Sequence, residues 1–349
     1  MGDPMRVGVA ISGGMDSAAS AIILKNEGRQ LIPLHMKLFD DCRDSLASAR
    51  RVAEIIGEPL HVIDLVEEFR TLVIDYFVRD YGLGRTPSPC PRCNRFIKLD
   101  LLAKHAWNLG CEKIATGHYA RITTDEGRPT LLKGLDPSKD QSYFLFMLTP
   151  EILERTLFPL GAWKKSDVRD FVGSMDLALA QKEESQELCF VENNDYVSFL
   201  RKMGIEERPG PIFDTEGNLL GQHNGIINYT VGQRRGLGVC GPHPRYVIRI
   251  EPENNSIVIG LRDHTFSNGA LISDLNIIRP DLARSKEFLK VKIRSTSKPV
   301  DCRIVKMEPN RLEFEFLEPQ SSVAPGQAAV FYLGAQVVMG GWIEKAIRK

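Results

Sequence analysis

Two short stretches carry residue types and spacings that could do chemistry. The first is S-G-G-M-D-S, residues 12–17. It follows a β-rich run, R-V-G-V-A-I (6–11), and leads into a helical pattern that stops at Gly28. A helix N-terminus presents unpaired N–H groups and a partial positive charge. Glycine lets the backbone approach a phosphate closely. Ser12, Gly13, Gly14 and Ser17 are therefore candidate phosphate ligands. Asp16 cannot hold a phosphate, but it can hold Mg²⁺ or brace the loop. An ordinary strand–helix turn uses the same residue types, but the position after the first strand of an alternating pattern favours a phosphate. The stretch is neither a Walker loop nor G-x-G-x-x-G.

The second stretch is T-P-S-P-C-P-R-C-N (86–94). Cys93 falls at or near a helix start, where the dipole lowers a thiol pKa, and Arg92 and Arg95 add positive charge. A thiolate there is a competent nucleophile. C-x-x-C is also half of a zinc site, but no second C-x-x-C and no H-x-x-x-H accompanies it. A third cysteine, Cys189, lies in S-Q-E-L-C-F-V (185–191). Alone it reads as a buried free thiol.

The elements that must position these residues alternate. Strand-like runs at 6–11, 31–37, 59–65 and 113–120 are separated by helical patterns at 16–27, 44–57, 66–81 and 94–109. Such alternation predicts an α/β parallel sheet covered on both faces. Ligands of such sheets bind at the carboxyl ends of the strands. After about residue 200 the helical patterns fade. Strand-like runs appear at 226–230, 245–250, 256–260, 289–295, 302–306 and 312–316, with turn clusters between them. This predicts two small β-rich or β-barrel domains. The expected boundaries are 1–200, 201–266 and 267–349.

Composition sets outer limits. A chain of 349 residues is too long for one compact domain. Its 45 basic and 45 acidic residues cancel, so it is not a uniformly basic nucleic-acid binder, although a local basic face is allowed. The seven cysteines are odd in number and scattered, unlike a secreted disulfide framework. No targeting segment and no run of about 18 apolar residues is visible. A cytoplasmic protein with working thiols, probing no membrane, is the expectation.

S-G-G-M-D-S resembles the PP-loop of adenylating enzymes, which split ATP between its α- and β-phosphates. K-D-Q-S-Y-F-L (139–145), A-T-G-H-Y-A (115–120), S-Q-x-x-C-F (185–190) and Y-T-V-G-Q-R-R-G-L-G (229–238) accompany it. Together with T-P-x-P-x-x-x-C-N they resemble the tRNA-specific 2-thiouridylase family, from residue 6 to about 342. The resemblance implies a PP-loop domain of the adenine nucleotide α-hydrolase type. It implies an ATP- and Mg²⁺-dependent transferase that replaces O2 of the wobble uridine of tRNA with sulfur. ATP contacts carry over to Ala10, Ile11, Ser12, Gly13, Gly14, Met15, Asp16 and Ser17, and to Met36 and Gly117. The family's nucleophile falls on Cys93 and its persulfide carrier on Cys189, with a Cys93–Cys189 disulfide closing after sulfur release. A sulfur-donor protein, either a cysteine desulfurase or a relay protein, would reload the site. A monomer is expected.

The stretch that meets the target base maps to Ser88, Pro89 and Cys90. Many members have Asp where this chain has Cys90, and a thiol is a weak acid or base toward uridine. A second reading therefore makes Cys90, Cys93 and Cys189 ligands of a 4Fe–4S cluster with one open iron. Contacts to tRNA map to Lys139, Asp140, Gln141, His118, Arg294, Ser295 and Gln327. Basic residues Arg92, Arg95, Lys98 and Lys104, and Arg234, Arg235, Arg245 and Arg249, supply candidate phosphate contacts. The competing functions are a PP-loop ligase or amidotransferase using a nitrogen nucleophile, and a non-catalytic RNA-binding module with a degenerate loop.

Overall fold

The computed structural model describes residues 4–40, 42–175, 188–284 and 288–348. Its first layer is a parallel sheet. The strands are β1 (Arg6–Ala10), β2 (Gln30–Lys37), β3 (His61–Asp64) and β4 (Lys113–Ala115), in the order β3-β2-β1-β4. Val7 pairs with Leu31 on one side and Lys113 on the other. The order reverses between β1 and β4, so the loops leaving these two strands part and open a crevice above the sheet. Helix Met15–Asn26 is buried at Met15 and from Ser17 to Leu24, wedged between the sheet, helix Arg43–Ile56 and helix Lys165–Gly173.

A hairpin follows β4: β5 (Ala120–Asp125) and β6 (Arg128–Lys133), turning at Glu126 and Gly127, both at positive φ. The 113–120 run is thus divided. Only its first three residues join the parallel sheet, and residue 120 begins the hairpin. A short strand, β7 (Thr156–Leu157), adds to the parallel sheet beyond β4.

The second unit is a sheet of β8 (Gly210–Phe213), β9 (Leu219–His223), β10 (Tyr246–Glu251) and β11 (Ser256–Gly260), ordered β10-β11-β8-β9. The 226–230 run is not a strand: Ile226–Asn228 is a single 3₁₀ turn. Gly225 enters it at φ 153, and Asn228 donates its side-chain amide to Glu207 at 2.6 Å. Alternating Ile and Tyr there pack into the small core of this unit rather than along a pleat.

The third unit contains β12 (Phe266–Ile277), β13 (Leu289–Lys292), β14 (Val300–Met307), β15 (Arg311–Ser321), β16 (Ala328–Leu333) and β17 (Gln336–Ile347). They run in the order β12-β15-β14-β13-β16-β17, and β12 pairs back with β17, which closes a barrel. Closure removes the exposed edges. β17 also touches β6 through Gln336 and Leu132, so the hairpin joins the barrel to the first domain. Arg279, 2% exposed, locks this joint by bonding Asp125 at 2.6 Å and Asp281 at 2.7 Å.

Candidate active site

The turn after β1 needs its first glycine. Gly13 sits at φ +77, and a Cβ there would lie 2.7 Å from the Ser45 carbonyl oxygen and the Ser48 Cβ. Gly14, at φ −94, is the N-cap of helix Met15–Asn26, and no side chain caps that helix end. Ser17 Oγ donates to the Gly14 carbonyl at 2.8 Å, and the Ser12 amide donates to Ser17 Oγ at 3.2 Å, so the loop closes on itself. The loop after β4 comes equally near. A Cβ on Gly117 would be 2.9 Å from the Asp16 carbonyl carbon.

Between these loops lies a cavity of about 600 Å³. Ala10, Ser12, Gly14, Met15, Asp16, Ser17, Met36, Gly117, His118 and Gln141 line it, with Asp44, Ser45, Lys98, Thr116 and Lys165. Gly13 backs the loop against helix Arg43–Ile56, and Ile11 is buried beneath it with its carbonyl bonded to His35. Asp16 is fully engaged. Its Oδ1 accepts from Tyr119 Oη at 2.8 Å, and Lys165 Nζ bonds both carboxylate oxygens at 2.7 and 2.8 Å. Tyr119 and Lys165 were not legible as site residues in the sequence.

Cys90 and Cys93 sit on a continuous helix spanning 89–108, which starts five residues earlier than the periodicity suggests. Its centre, Cys93–Leu101, is π-helical. The wider i→i+5 turn carries Lys98 round to the side of Cys93, where an α-helix would set residues five apart on different faces. Lys98 Nζ donates to Asn94 Oδ1 at 3.0 Å, and Asn94 Nδ2 donates to the Phe144 carbonyl at 3.1 Å. His118 Nε2 lies 3.1 Å from the same Asn94 Oδ1 and Nδ1 lies 2.7 Å from Thr116 Oγ1. The amide orientation makes Oδ1 an acceptor. His118 therefore donates from Nε2, and Thr116 donates to Nδ1. Burial, reinforced by the Lys98 charge, keeps His118 well below its ordinary pKa and neutral.

Burial also pushes the Cys93 thiol up, and Lys98 opposes it. This reverses the expectation of a dipole-lowered thiolate. Cys93 lies within the helix rather than at its tip. Arg92 is turned to the Leu72 carbonyl and stacked on Tyr76, and Arg95 and Lys104 share Asp100. Cys90 is raised by burial, opposed by Lys98 and raised further by Cys93. Cys189 is solvent-exposed as a residue, but crowding around its thiol, then its nearness to Cys93, raises it to about 12, against the pull of Lys98. The mutual influence of the three thiols and Lys98 puts Cys90, Cys93 and Cys189 in one neighbourhood. Ser185 and Gln186 of the third motif lie outside the described residues. All seven cysteines are free thiols.

The second reading, a cluster on Cys90, Cys93 and Cys189, is not supported by the side-chain placement. Among the described residues, no group of three or more His, Cys, Asp or Glu side chains is placed to hold a metal ion.

The residues mapped to tRNA contacts divide. His118 and Gln141 face the cavity, and Gln141 Oε1 accepts the Tyr119 amide at 2.9 Å. Asp140 is turned inward, bonding the Gly134 and Ser142 amides, each at 3.0 Å. Arg294 donates to the Ser321 carbonyl at 3.1 Å beside an exposed Ser295. Gln327 donates to the Thr86 carbonyl at 2.9 Å, two residues before Ser88, Pro89 and Cys90. Arg234 and Arg235 are exposed on the second unit, whereas Arg249 is paired with Glu251 at 2.6 Å.

A parallel sheet with a phosphate-type loop at its switch point, followed by two β units, defines a PP-loop protein of the HUP class. The model of the tRNA methyl transferase HUP domain matches residues 5–193. Its PRC-barrel companion matches 197–261, and the aminomethyltransferase beta-barrel domain matches 267–343. The tRNA-specific 2-thiouridylase MnmA of Geotalea uraniireducens is 46% identical over 359 residues, covering 98% of this chain and 96% of that protein. The MnmA protein of Geobacter metallireducens is 45% identical, covering 98% and 97%. The chain belongs to the tRNA-specific 2-thiouridylase family. Among solved structures, the U34-tRNA thiolase NcsA of Methanococcus maripaludis, with its 4Fe–4S cluster, overlays at a TM-score of 0.36 and 18% identity, covering 58% of this chain and 66% of that one. No helix among the described residues is long and apolar enough to cross a membrane.

Proposed function

We propose that this protein is an ATP-dependent tRNA-uridine 2-sulfurtransferase that makes 2-thiouridine at the wobble position. One observation carries the reading: Lys98 lines the nucleotide-sized cavity and at the same time acts on all three thiols. An adenylation site and a sulfur site therefore share a wall. A nitrogen-transferring ligase has no use for that arrangement, and a binding module has no use for either half.

The roles follow from position. The uncapped helix end at Gly14, with Ser12 and Ser17, receives the phosphates of ATP, which brings its Mg²⁺ with it. Met36 and Gly117 flank the nucleoside. Uridine O2 attacks the α-phosphorus and pyrophosphate leaves. Cys189 carries a persulfide whose terminal sulfur bonds to C2, and O2 departs with AMP. The Cys93 thiol attacks Cys189 Sγ and its proton passes to N3 of the base; the old S–S bond breaks, and the sulfur stays on C2 as the thione. The Cys93–Cys189 disulfide so formed takes two electrons from an external reductant, and a cysteine desulfurase or relay protein reloads Cys189. Ser88, Pro89 and Cys90 present the base, and the exposed Arg234 and Arg235 hold backbone phosphates. A monomer acting in the cytoplasm, where tRNA is modified, fits this scheme.

The test is ATP–pyrophosphate exchange with and without tRNA. Exchange that requires tRNA supports the scheme. Exchange driven by a small amine would make the protein a ligase, and no exchange would make it a binding module.

A further inference from the structure

We propose that Lys165 grips the β- and γ-phosphates of ATP and that Asp16 is its holder rather than a metal ligand. This rests on the reading of the cavity as a nucleotide site. Lys165 opens helix Lys165–Gly173, is 7% exposed, and lines the cavity beside Gly14, Asp16 and Ser17. Its backbone amide donates to Asp136 Oδ2 at 3.1 Å, which fixes where the helix begins. Its ammonium is held at 2.7 and 2.8 Å by Asp16 and lies 5.5 Å from the centre of the Tyr119 ring. Tyr119 also bonds Asp16, so the carboxylate has three bonds and is shared between two residues that face the same space.

A buried lysine paired with a carboxylate that is 34% exposed is a poor way to fasten a helix. Desolvating the ammonium offsets much of the attraction, and water screens the open side of the carboxylate. The placement makes sense if something else uses the ammonium. A free Asp16 carboxylate would repel a polyphosphate at the mouth of the loop. Paired with Lys165, it presents a neutral edge in the empty site. When the triphosphate tail enters, the ammonium gains a second anionic partner within reach of the same carboxylate. Lysine suits this role as a compact point charge with three donors on a flexible stem. During adenylation the bond from the α-phosphorus to the bridging oxygen breaks, and the pyrophosphate takes the electron pair. Lys165 then faces the growing charge while uridine O2 bonds to the phosphorus.

AMP lacks the groups that Lys165 would touch, so the two nucleotides separate this role from a structural one. Titration calorimetry with MgATP and with AMP is run on the wild type, Lys165→Met and Lys165→Arg. Lys165→Met should weaken ATP on the order of 30-fold, the loss of a charge-assisted hydrogen bond, and AMP less than about twofold. Lys165→Arg should restore part of the ATP affinity. Equal weakening of both nucleotides, or unchanged ATP binding, overturns the proposal. If Lys165→Met fails to fold because Asp16 is left charged and unpaired, the double variant with Asp16→Asn removes both charges and is read the same way. A wild type that binds neither nucleotide instead overturns the reading of the cavity itself. No tRNA and no sulfur transfer enter the measurement.

Discussion

Gln327, in the C-terminal barrel, donates its side-chain amide to the backbone carbonyl of Thr86 at 2.9 Å, and the Thr86 amide returns a bond to the neighbouring Pro325 carbonyl at 2.8 Å. Gly326 stands between them at φ +90, with no room for a Cβ, which would lie 3.0 Å from Arg85 and Thr86. Thr86 Oγ1 is also 3.5 Å from Thr230 Oγ1 in the second unit. The segment leading to Cys90 is thus fastened by both β units. Gln327→Ala should cost about 1 kcal/mol of stability through one lost hydrogen bond. It should slow single-turnover sulfur transfer several-fold and leave ATP affinity unchanged. Thermal melts, ATP calorimetry and rapid-quench thiolation check this. An equal loss of ATP binding would show that Gln327 acts on the whole fold instead.

The difference between what the sequence makes legible and what it hides follows a physical line. S-G-G-M-D-S announces itself because Gly13 must adopt positive φ against Ser45 and Ser48, and only glycine does so cheaply. The parallel sheet shows because apolar runs such as Val7–Ala10 and Leu31–Leu34 alternate with helical patterns that stop at Gly28, Gly57 and Gly110. The π-helical register of Cys93–Leu101 has no such marker, since the same residues would make an acceptable α-helix. The alignment of Lys98 with Cys93 was therefore hidden. Lys165 was hidden for a different reason. It is one of two adjacent lysines, 164 and 165, and only the helix start decides which faces Asp16. The hairpin 120–133 was detectable from alternating Arg121-Ile122-Thr123 and the Glu126-Gly127 turn.

Gly13 and Gly14 should respond differently to alanine. At Gly13 the new Cβ meets a carbonyl oxygen at 2.7 Å in a conformation disfavoured for alanine by about 1–2 kcal/mol. At Gly14 the Cβ finds only Ser12 Oγ, at 3.6 Å, with ordinary backbone angles. Gly13→Ala should lower the melting temperature by several degrees and ATP affinity by tenfold or so. Gly14→Ala should melt within a degree or two of the wild type. Equal melting temperatures for the two variants would contradict this account of the loop.

His118 should make the protein acid-sensitive. Its folded pKa lies well below the ordinary 6.5, because burial and then the Lys98 charge disfavour the imidazolium. Below pH 6.5 the unfolded chain takes up a proton that the folded chain does not. The stabilisation is complete above that pH and is lost as the pH falls toward the folded value. The slope is about 1.4 kcal/mol per pH unit for one such group. Urea midpoints at pH 7.5, 6.5 and 5.5 should fall in the wild type and flatten in His118→Gln. A parallel decline in both proteins would assign the sensitivity elsewhere.

Lys98 is the charge that counters burial at the thiols, so its removal should show in their chemistry. Lys98→Met should slow iodoacetamide alkylation of Cys93 about tenfold at pH 8, equivalent to about one pKa unit. Lys98→Arg should retain most of the rate. Cys302, remote in the barrel core and raised by burial to about 12, serves as the internal control and should not change. Peptide mapping by mass spectrometry reads each site separately. The same alkylation rate at Cys93 in Lys98→Met and wild type would remove Lys98 from the sulfur chemistry.

The three cysteines should not be equivalent. Cys93 and Cys189 each hold a sulfur in the proposed transfer, whereas the Cys90 thiol carries none of the transferred sulfur and sits where it presents the base. Cys93→Ala and Cys189→Ala should therefore lose single-turnover thiolation by at least a thousandfold, the scale expected when a covalent group is removed. Cys90→Ala should keep a measurable fraction, on the order of one tenth, the size of effect expected from loosened positioning. On the persulfide route, iron-free wild type should work at full rate in air and under argon alike. Iron is counted in every sample by mass spectrometry, and thiolation is followed by gel shift of the tRNA. Activity that rises with bound iron and vanishes in Cys90→Ala would overturn the persulfide route, because only a cluster needs all three thiols equally.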